Sequence, residues 1–181
     1  IMIIASQKKK ENIAEYLLYM WQIEDLIRVY KLDIDAIQKY IIDPYDISDE
    51  KKKEMRDWYE SLIEMMRSEG VEKKGHLQLN KNVIIDLTDL HLALLKSPRE
   101  PFYGASFFKT LPYIVELRGK SGNEQVGEIE TCFNALYGVL LLKLQKKELS
   151  ENTQVAIKQI TTFLALLSEK YKQEKAGDLE L

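Results

Sequence analysis

This chain of 181 residues is poor in the residues on which disulfide-rich, metal-binding and turn-rich proteins depend. It has one cysteine, Cys132, so no disulfide can form within the chain, and it has only two histidines. It has only 8 glycines and 4 prolines, and runs that alternate apolar and polar residues are rare. These absences favour helices over strands and predict a core that forms without disulfides.

The sequence also lacks the motifs that identify common reactions. It contains no glycine-rich phosphate loop, no HExxH, no GxSxG and no CxxC. Carboxylate-bridged metal sites in helical bundles use Glu-x-x-His pairs. The nearest spacing here is Thr88-x-x-His91, which lacks the carboxylate. We therefore expect no metal and no cofactor, and the sequence leaves open whether the protein is an enzyme.

Charge and hydropathy argue against two classes of partner. The net charge of -3 argues against a dedicated nucleic-acid-binding protein. The lysine runs Lys8–Lys10 and Lys51–Lys53 have acidic residues beside them, which is typical of solvated helix surfaces. The opening IMIIASQKKK lacks the order of a signal peptide, because its short apolar run precedes the lysines. We expect a cytoplasmic protein without nucleic-acid or membrane contacts.

The most apolar segment of the chain is Glu128–Lys147. No charged residue occurs between Thr131 and Leu142, and this run is shorter than the about 20 residues that a membrane span needs. The pattern predicts a helix buried on nearly every side, with Cys132 as an inert core thiol. Gly138 lies in its middle, where glycine costs about 1 kcal/mol relative to alanine. That cost predicts the close approach of a neighbouring helix.

The remaining helices are predicted from apolar residues that recur at helical spacing. The predicted helices cover Gln7–Tyr30, Ile34–Ile42, a segment from Ser48 to Gly70, a segment capped by Asn80, the aromatic segment as far as Arg118 with a start or kink near Pro112, and a last helix capped by Ser150. The polar segment Gly119–Gly127 is predicted to be a flexible surface loop. The prediction is an all-α, single-domain (1–181) antiparallel bundle of six or seven helices around the buried central helix, with residues 2–5 and 174–181 frayed.

Six polar residues fall on helix faces that are otherwise apolar or lie on one side of the central helix. They are Glu24, His91, Arg118, Glu130, Asn134 and Tyr137. A buried charge must be paired or neutralised, so we expect these groups to meet, with Arg118 as the cation for Glu24 or Glu130. One interpretation is a structural ion pair and a hydrogen-bonded core histidine. The other is a pocket in which Arg118 binds a carboxylate or phosphate and His91 transfers a proton.

The segment after the proline-rich break, Ser97–Pro101, is the most aromatic part of the chain. Phe102, Tyr103, Phe107 and Phe108 follow within a few residues of one another. These side chains either fold over the end of the bundle and seal the core, or form a surface that contacts a partner.

Three stretches resemble an uncharacterised domain-of-unknown-function family of small bacterial proteins. They are KKKENIAEYLLYMWQIEDLIR (8–28), KGHLQLNKNVIIDLTDLHLALLKSPREPFY (74–103) and GEIETCFNALYGVLLLKLQKKE (127–148). The resemblance extends over nearly the whole chain. It implies a bacterial, cytoplasmic protein with a self-contained helical fold, and it implies no reaction, because the family has none assigned.

The function predicted from these observations is non-enzymatic binding or protein interaction, with an unknown protein or a second copy of the chain as partner. The alternative is a pocket for a small anionic molecule, with or without catalysis, built on the Glu/His/Arg cluster. A third prediction is a structural homodimer in which an apolar helix face completes the core across a two-fold axis.

Overall fold

Helices dominate the part of the chain that the structure, a computed structural model, describes: residues 2–122 and 125–181. The α-helices in this part are α1 (Met2–Glu11), α2 (Ile13–Val29), α3 (Ile34–Ile37), α4 (Asp49–Ser68), α5 (Gln78–Lys96), α6 (Pro101–Ser121), α7 (Glu128–Leu144) and α8 (Glu151–Lys175). A five-residue π-helix, Gln38–Ile42, follows α3 directly. These residues include no strand, so the all-α prediction is confirmed, although the eight α-helices exceed the predicted six or seven.

Backbone contacts group the chain into two compact units. The first contains the chain as far as Lys10 together with Glu15–Asn82, and the second contains Glu11–Ala14 together with Val83–Leu181. The single domain expected from the sequence stays a prediction. Among the described residues, none of the helices combines the length and the apolar character that a membrane span requires.

The helix starts illustrate how local chemistry determines boundaries. The hydroxyl groups of Ser48 and Ser150 accept hydrogen bonds from the backbone N–H groups of Lys51 and Thr153, each at 3.2 Å. Both residues are therefore the N-caps that the sequence predicts. Asn80 is different, because it lies inside the first turn of α5 and is fully buried. The predicted capping role of Asn80 is wrong.

The predicted helix Gln7–Tyr30 is two helices. The first, α1, ends at Glu11, and the side chain of Asn12 accepts a hydrogen bond from the N–H of Ala14 at the start of α2. Residues 2–5, which we expected to fray, form the first turn of α1, and Ala5 is buried there. At the other terminus α8 continues to Lys175, so residues 174 and 175 are helical.

Helix α6 begins at Pro101 and passes through Pro112, where a start or a kink was predicted. Proline suits the first turn because its missing N–H needs no partner there. Pro112 is exposed to solvent, so water can reach the backbone around the missing hydrogen bond. The predicted loop 119–127 begins later than expected, because the helix continues to Ser121. Asn123 and Glu124 lie outside the described residues.

Helix α7 is not buried on nearly every side. Ile129, Cys132 and Phe133 are buried, but Leu141 and Leu144 are 38% and 67% exposed. A Cβ atom added to Gly138 would meet nothing within 4 Å, so within the described residues no helix approaches closely at that glycine. The helices that contact α7 repeatedly are α6 and α8, and two neighbours cover only part of a helix surface.

Each unit has its own apolar core. In the first unit α2 and α4 contribute fully buried side chains such as Leu17, Met20, Tyr59 and Met66. In the second unit α6, α7 and α8 pack together and bury residues such as Tyr103, Phe133, Ile160 and Phe163. These two cores hold the polar groups described next.

Candidate functional site

Glu24 is the most completely enclosed acidic residue of the first unit. Its side chain is fully buried on α2. One carboxylate oxygen accepts the backbone N–H of Leu77 at 2.6 Å and the side-chain amide of Asn80 at 3.1 Å. The other oxygen lies 2.7 Å from Nδ1 of His76. The carboxylate therefore stabilises the start of α5, where unpaired N–H groups and the helix dipole favour an anion.

The partner of Glu24 was missed by the sequence reasoning, which did not select His76. The imidazole of His76 stacks on the indole of Trp21, with ring centroids 4.2 Å apart. Trp21 precedes Glu24 by three residues and therefore lies on the same helix face. The available signal was the position of His76, directly before the apolar helix that begins at Gln78.

His91 lies in the core of the second unit. Its Nδ1 atom is 2.6 Å from the hydroxyl of Tyr103, and its ring makes edge-to-face contacts with Phe107 and Phe163. Burial lowers the pKa of His91, and the charge of Glu128 opposes that shift. A neutral imidazole that is enclosed by aromatic rings and hydrogen-bonded to a tyrosine has the geometry of a structural histidine.

Arg118 forms its ion pair with an acid that the sequence reasoning did not select. Its guanidinium lies 3.8 Å from the carboxylate of Glu128, two residues before Glu130 on α7. The Nε atom of Arg118 is buried and has no hydrogen-bond partner among the described residues. Glu130 is half-buried on the same helix. We expected Arg118 to pair with Glu24 or Glu130, but its salt bridge is with Glu128.

The other two candidate residues lie on α7. Asn134 is exposed and lines a cleft of about 320 Å³ together with Leu117 and Thr131. Tyr137 is half-buried. In the second unit the structure therefore places Arg118 beside Glu128, His91 beside Tyr103, and Asn134 in the wall of a cleft. The functional role of the six candidate residues stays a prediction.

The aromatic segment of α6 divides between core and surface. Tyr103 is fully buried and Phe107 is 5% exposed, so neither belongs to the partner surface that we predicted. Phe102 and Phe108 are 75% and 64% exposed. The reason is helical spacing, since Tyr103 and Phe107 are four residues apart and point into the core together.

The exposed side of α6 carries further apolar residues. Val115 is 56% exposed, and Ala105 and Pro112 are exposed as well. Ala105, Phe108, Pro112 and Val115 are spaced i, i+3, i+7 and i+10, so they follow one face of the helix. We call these four residues the α6 face. Phe102 lies at the N-terminal end of the same helix.

Metal ligands are not assembled in the described part of the chain. No group of three or more His, Cys, Asp or Glu side chains there could hold a metal ion. Cys132 is a free, fully buried thiol, and burial raises its pKa to about 12.

The fold and these sites define an all-α protein in which buried polar pairs hold helices together and an apolar helix face remains open. The chain belongs to the family described as Domain of unknown function (DUF4924), whose family model matches residues 2–178. No curated protein and no solved structure matches the chain. The family match covers both compact units with a single family model.

Proposed function

We propose that this protein is a non-enzymatic helical interaction module that binds a second protein chain through the α6 face. The observation that carries the proposal is the exposure of large apolar side chains on a single helix: Phe102 is 75%, Phe108 64% and Val115 56% exposed. Exposed apolar side chains that are grouped, and not scattered, are typical of surfaces that another molecule covers. Aromatic residues are enriched in such surfaces.

The partner that we propose is a second copy of this chain, because the α6 face is self-complementary. In an antiparallel pair of α6 helices centred near Pro112, Phe108 lies opposite Val115 of the partner subunit. Lys109 then lies opposite Glu116 of the partner subunit on the same flank of the pair. Such an isologous arrangement uses the same patch on both subunits and closes with two-fold symmetry.

The charges on the flank support this orientation over a parallel one. Lys109 is exposed, and the side chain of Glu116 is 55% exposed and lies 3.0 Å from Lys120 within its own chain. An exposed ion pair of that kind contributes little, so Glu116 can exchange it for a contact across the interface. In a parallel pair with two-fold symmetry, Lys109 and Glu116 of the partner subunit would lie on opposite flanks, so their charges could not face each other.

Sedimentation velocity over a range of concentrations tests the proposal. We expect a monomer–dimer equilibrium in which the dimer is lost in Phe108→Lys, because the substitution places a charge in the apolar contact. The control is Val155→Lys, since Val155 is a similarly exposed apolar residue, 55%, on α8 of the same unit. A monomer at every concentration in the unmodified chain would contradict self-association.

A charge swap tests the orientation separately. Lys109→Glu alone should weaken the dimer, because it places two acidic residues opposite each other. The double variant Lys109→Glu with Glu116→Lys should restore the association of the unmodified chain, because each opposed pair again has opposite charges. Equal weakening in the single and the double variant would argue against the antiparallel pairing.

A pocket for an anionic ligand is the second candidate function, and one observation favours it. The buried Nε atom of Arg118 has no partner in the described residues, and its Nη2 atom is 3.8 Å from Glu128, longer than a normal hydrogen bond. Arg118 can therefore still donate hydrogen bonds to a carboxylate or phosphate.

A titration with inorganic phosphate tests this function. NMR follows the titration of the unmodified chain and of the variant Arg118→Gln. Identical spectral changes in the two proteins would contradict an anion-binding role of Arg118.

We also infer a bacterial and cytoplasmic setting. The bacterial origin rests on the resemblance of the sequence to small bacterial proteins. The cytoplasmic setting rests on Cys132, which is the one cysteine of the chain and is fully buried, so no disulfide contributes to the fold.

A further inference from the structure

A cleft lined by tyrosines lies in the first unit and is independent of the α6 face. Residues of α2, the π-helix, α4 and the segment after Pro44 line this open cleft, which has a volume of about 320 Å³. The tyrosines that line it are Tyr19, Tyr40, Tyr45 and Tyr59, and apolar side chains that include Leu26 and Ile41 complete the wall. A volume of this size suits a small organic molecule.

The hydroxyl group of Tyr59 is the most unusual feature of the cleft. The Tyr59 side chain is fully buried, and its hydroxyl has no hydrogen-bond partner among the described residues. Buried hydroxyl groups in folded proteins are nearly always hydrogen-bonded, so an orphan of this kind requires an explanation. The hydroxyl is covered by neighbouring side chains, and because Tyr59 lines the cleft, a bound molecule that displaces them can supply the missing acceptor.

Burial keeps the hydroxyl groups of Tyr19 and Tyr59 protonated at neutral pH, so both are neutral hydrogen-bond donors. Burial raises the pKa of Tyr19 to about 12, with a further contribution from Tyr45. Burial also raises the pKa of Tyr59, and Tyr19 and Tyr45 add to that shift. Tyr19, Tyr45 and Tyr59 all line the same cleft, so these side chains are grouped beside its apolar wall.

Part of the cleft wall is built by an uncommon backbone turn. The N–H of Asp43 donates to the carbonyl of Gln38 at 2.8 Å, which closes the wide turn of the π-helix. The side-chain amide of Gln38 donates to Asp43 at 2.6 Å, and Arg56 forms a 2.9 Å ion pair with Asp35 just before this turn. Short π-helices occur frequently at functional sites. This turn presents Tyr40 and Ile41 to the cleft.

We propose that the tyrosine cleft binds a small, uncharged heteroaromatic molecule that accepts a hydrogen bond from Tyr59. The residues that line the cleft in the described chain include tyrosine, isoleucine, leucine and one glutamine, Gln22, and none of them is charged. An ion that entered would lose its hydration without gaining a charged partner. A flat neutral ring instead gains stacking and apolar contacts from the tyrosines.

The test compares two ligands of the same shape, 7-azaindole and indole. Both are neutral bicyclic rings, but only 7-azaindole has a ring nitrogen that accepts a hydrogen bond. Binding to the full chain is measured by NMR titration. We expect 7-azaindole to bind about tenfold more tightly than indole, because the difference corresponds to one hydrogen bond.

Two variants complete the experiment. In Tyr59→Phe the two ligands should bind with equal dissociation constants, because the donor is gone while the ring remains. Tyr113→Phe is the control, since Tyr113 is a half-buried tyrosine on α6 that should leave both constants unchanged. Tyr45→Ala should weaken the binding of both ligands to the same extent, because it removes an aromatic wall residue of the cleft, and Tyr45 is 41% exposed.

Three outcomes would overturn the proposal. One is no saturable binding of 7-azaindole to the unmodified chain. Another is an unchanged preference for 7-azaindole over indole in Tyr59→Phe. The third is tighter binding of choline, a cation that aromatic rings can enclose, than of 7-azaindole. None of these outcomes bears on self-association through the α6 face, which is measured by sedimentation.

Discussion

The Nδ1 atom of His76 lies 2.7 Å from Oε1 of Glu24, a carboxylate that is fully buried. The second oxygen of Glu24 accepts the N–H of Leu77, the residue that follows His76. One acidic side chain on α2 thereby determines where the chain ends its loop and begins α5. A loop residue and a helix residue separated by 52 positions become a single polar unit.

Replacing Glu24 by glutamine should destabilise the protein by about 2 kcal/mol. The new amide has a single acceptor atom, so an NH₂ group replaces the carboxylate oxygen that faces either His76 or the two donors Leu77 and Asn80, and the charge that strengthens these hydrogen bonds is lost. Urea unfolding measures the change in the free energy of unfolding. Glu15→Gln is the control on the same helix, because the Glu15 side chain is 60% exposed and should change stability by less than about 0.5 kcal/mol. Equal effects of both substitutions would contradict the role of Glu24.

Replacing each of two fully buried tyrosines by phenylalanine should have different effects on stability. The hydroxyl of Tyr103 lies 2.6 Å from His91, so Tyr103→Phe should lose about 1 kcal/mol of stability. The hydroxyl of Tyr59 is unpartnered in the described residues, so Tyr59→Phe should leave stability unchanged or raise it by about 1 kcal/mol. Thermal unfolding of the ligand-free protein measures both. A loss for Tyr59→Phe as large as that for Tyr103→Phe would show that the Tyr59 hydroxyl has a partner.

His91 should make stability depend on pH on the acidic side of neutrality. Its pKa is lowered from the ordinary value of 6.5, chiefly by burial, so the unfolded chain takes up a proton that the folded chain does not. The titration of His91 therefore does not lower the free energy of unfolding above pH 6.5. Below pH 6.5 the free energy of unfolding falls as the pH drops. The fall is at most about 1.4 kcal/mol per pH unit for one proton.

The variant His91→Gln isolates that contribution, because glutamine can still hydrogen-bond to Tyr103 but does not titrate. Urea unfolding of both proteins at a series of pH values should show a shallower acidic decline in the variant. All other groups are the same in both proteins, so their effects cancel in the difference. Parallel curves for the two proteins would contradict the assignment to His91.

Cys132 should be unreactive in the folded protein. Burial, with a smaller contribution from Glu128, raises its pKa to about 12, so the thiolate that reacts is scarce at pH 8. A chromogenic disulfide reagent should modify the thiol at the rate of unfolding and rapidly in denaturant. Fast modification under native conditions would show that the α7 region opens far more easily than its burial indicates.

Gly138→Ala should stabilise the protein by about 0.5–1 kcal/mol. The added Cβ meets nothing within 4 Å, so the substitution gains helix propensity without a clash. Gly70→Ala should do the opposite, because Gly70 has a φ of +70° at the end of α4, which alanine adopts only with strain. Thermal unfolding midpoints of the two variants measure the contrast. A loss of stability in Gly138→Ala would reveal a contact on that side of α7.

The helix boundaries were predicted well where the signal is local. Ser48, Ser150 and Gly70 act as the sequence indicates, because a cap needs only a side chain or a flexible backbone within one turn. Asn80 shows the limit of such signals. It has the right residue type for a cap, but the buried carboxylate of Glu24 holds it inside the first turn of α5 instead.

Burial was harder to predict than helicity. The leucine-rich α7 has apolar residues on several faces, and that composition indicated a fully enclosed helix. Leu141 and Leu144 are nevertheless exposed, because composition does not count the neighbouring helices. Likewise the aromatic segment of α6 allowed both a core and a surface interpretation, and the spacing of Tyr103 and Phe107 assigns only those two to the core.

The sequence by itself determined that this protein is helical and where most of its helices begin, because capping, propensity and periodicity act over a few residues. The tertiary structure decided which groups meet. It paired Glu24 with His76 and Arg118 with Glu128, and it gathered Tyr19, Tyr45 and Tyr59 around one cleft. These relationships depend on how helices that are distant in the sequence pack together. Residue spacing along a single helix does not determine that packing.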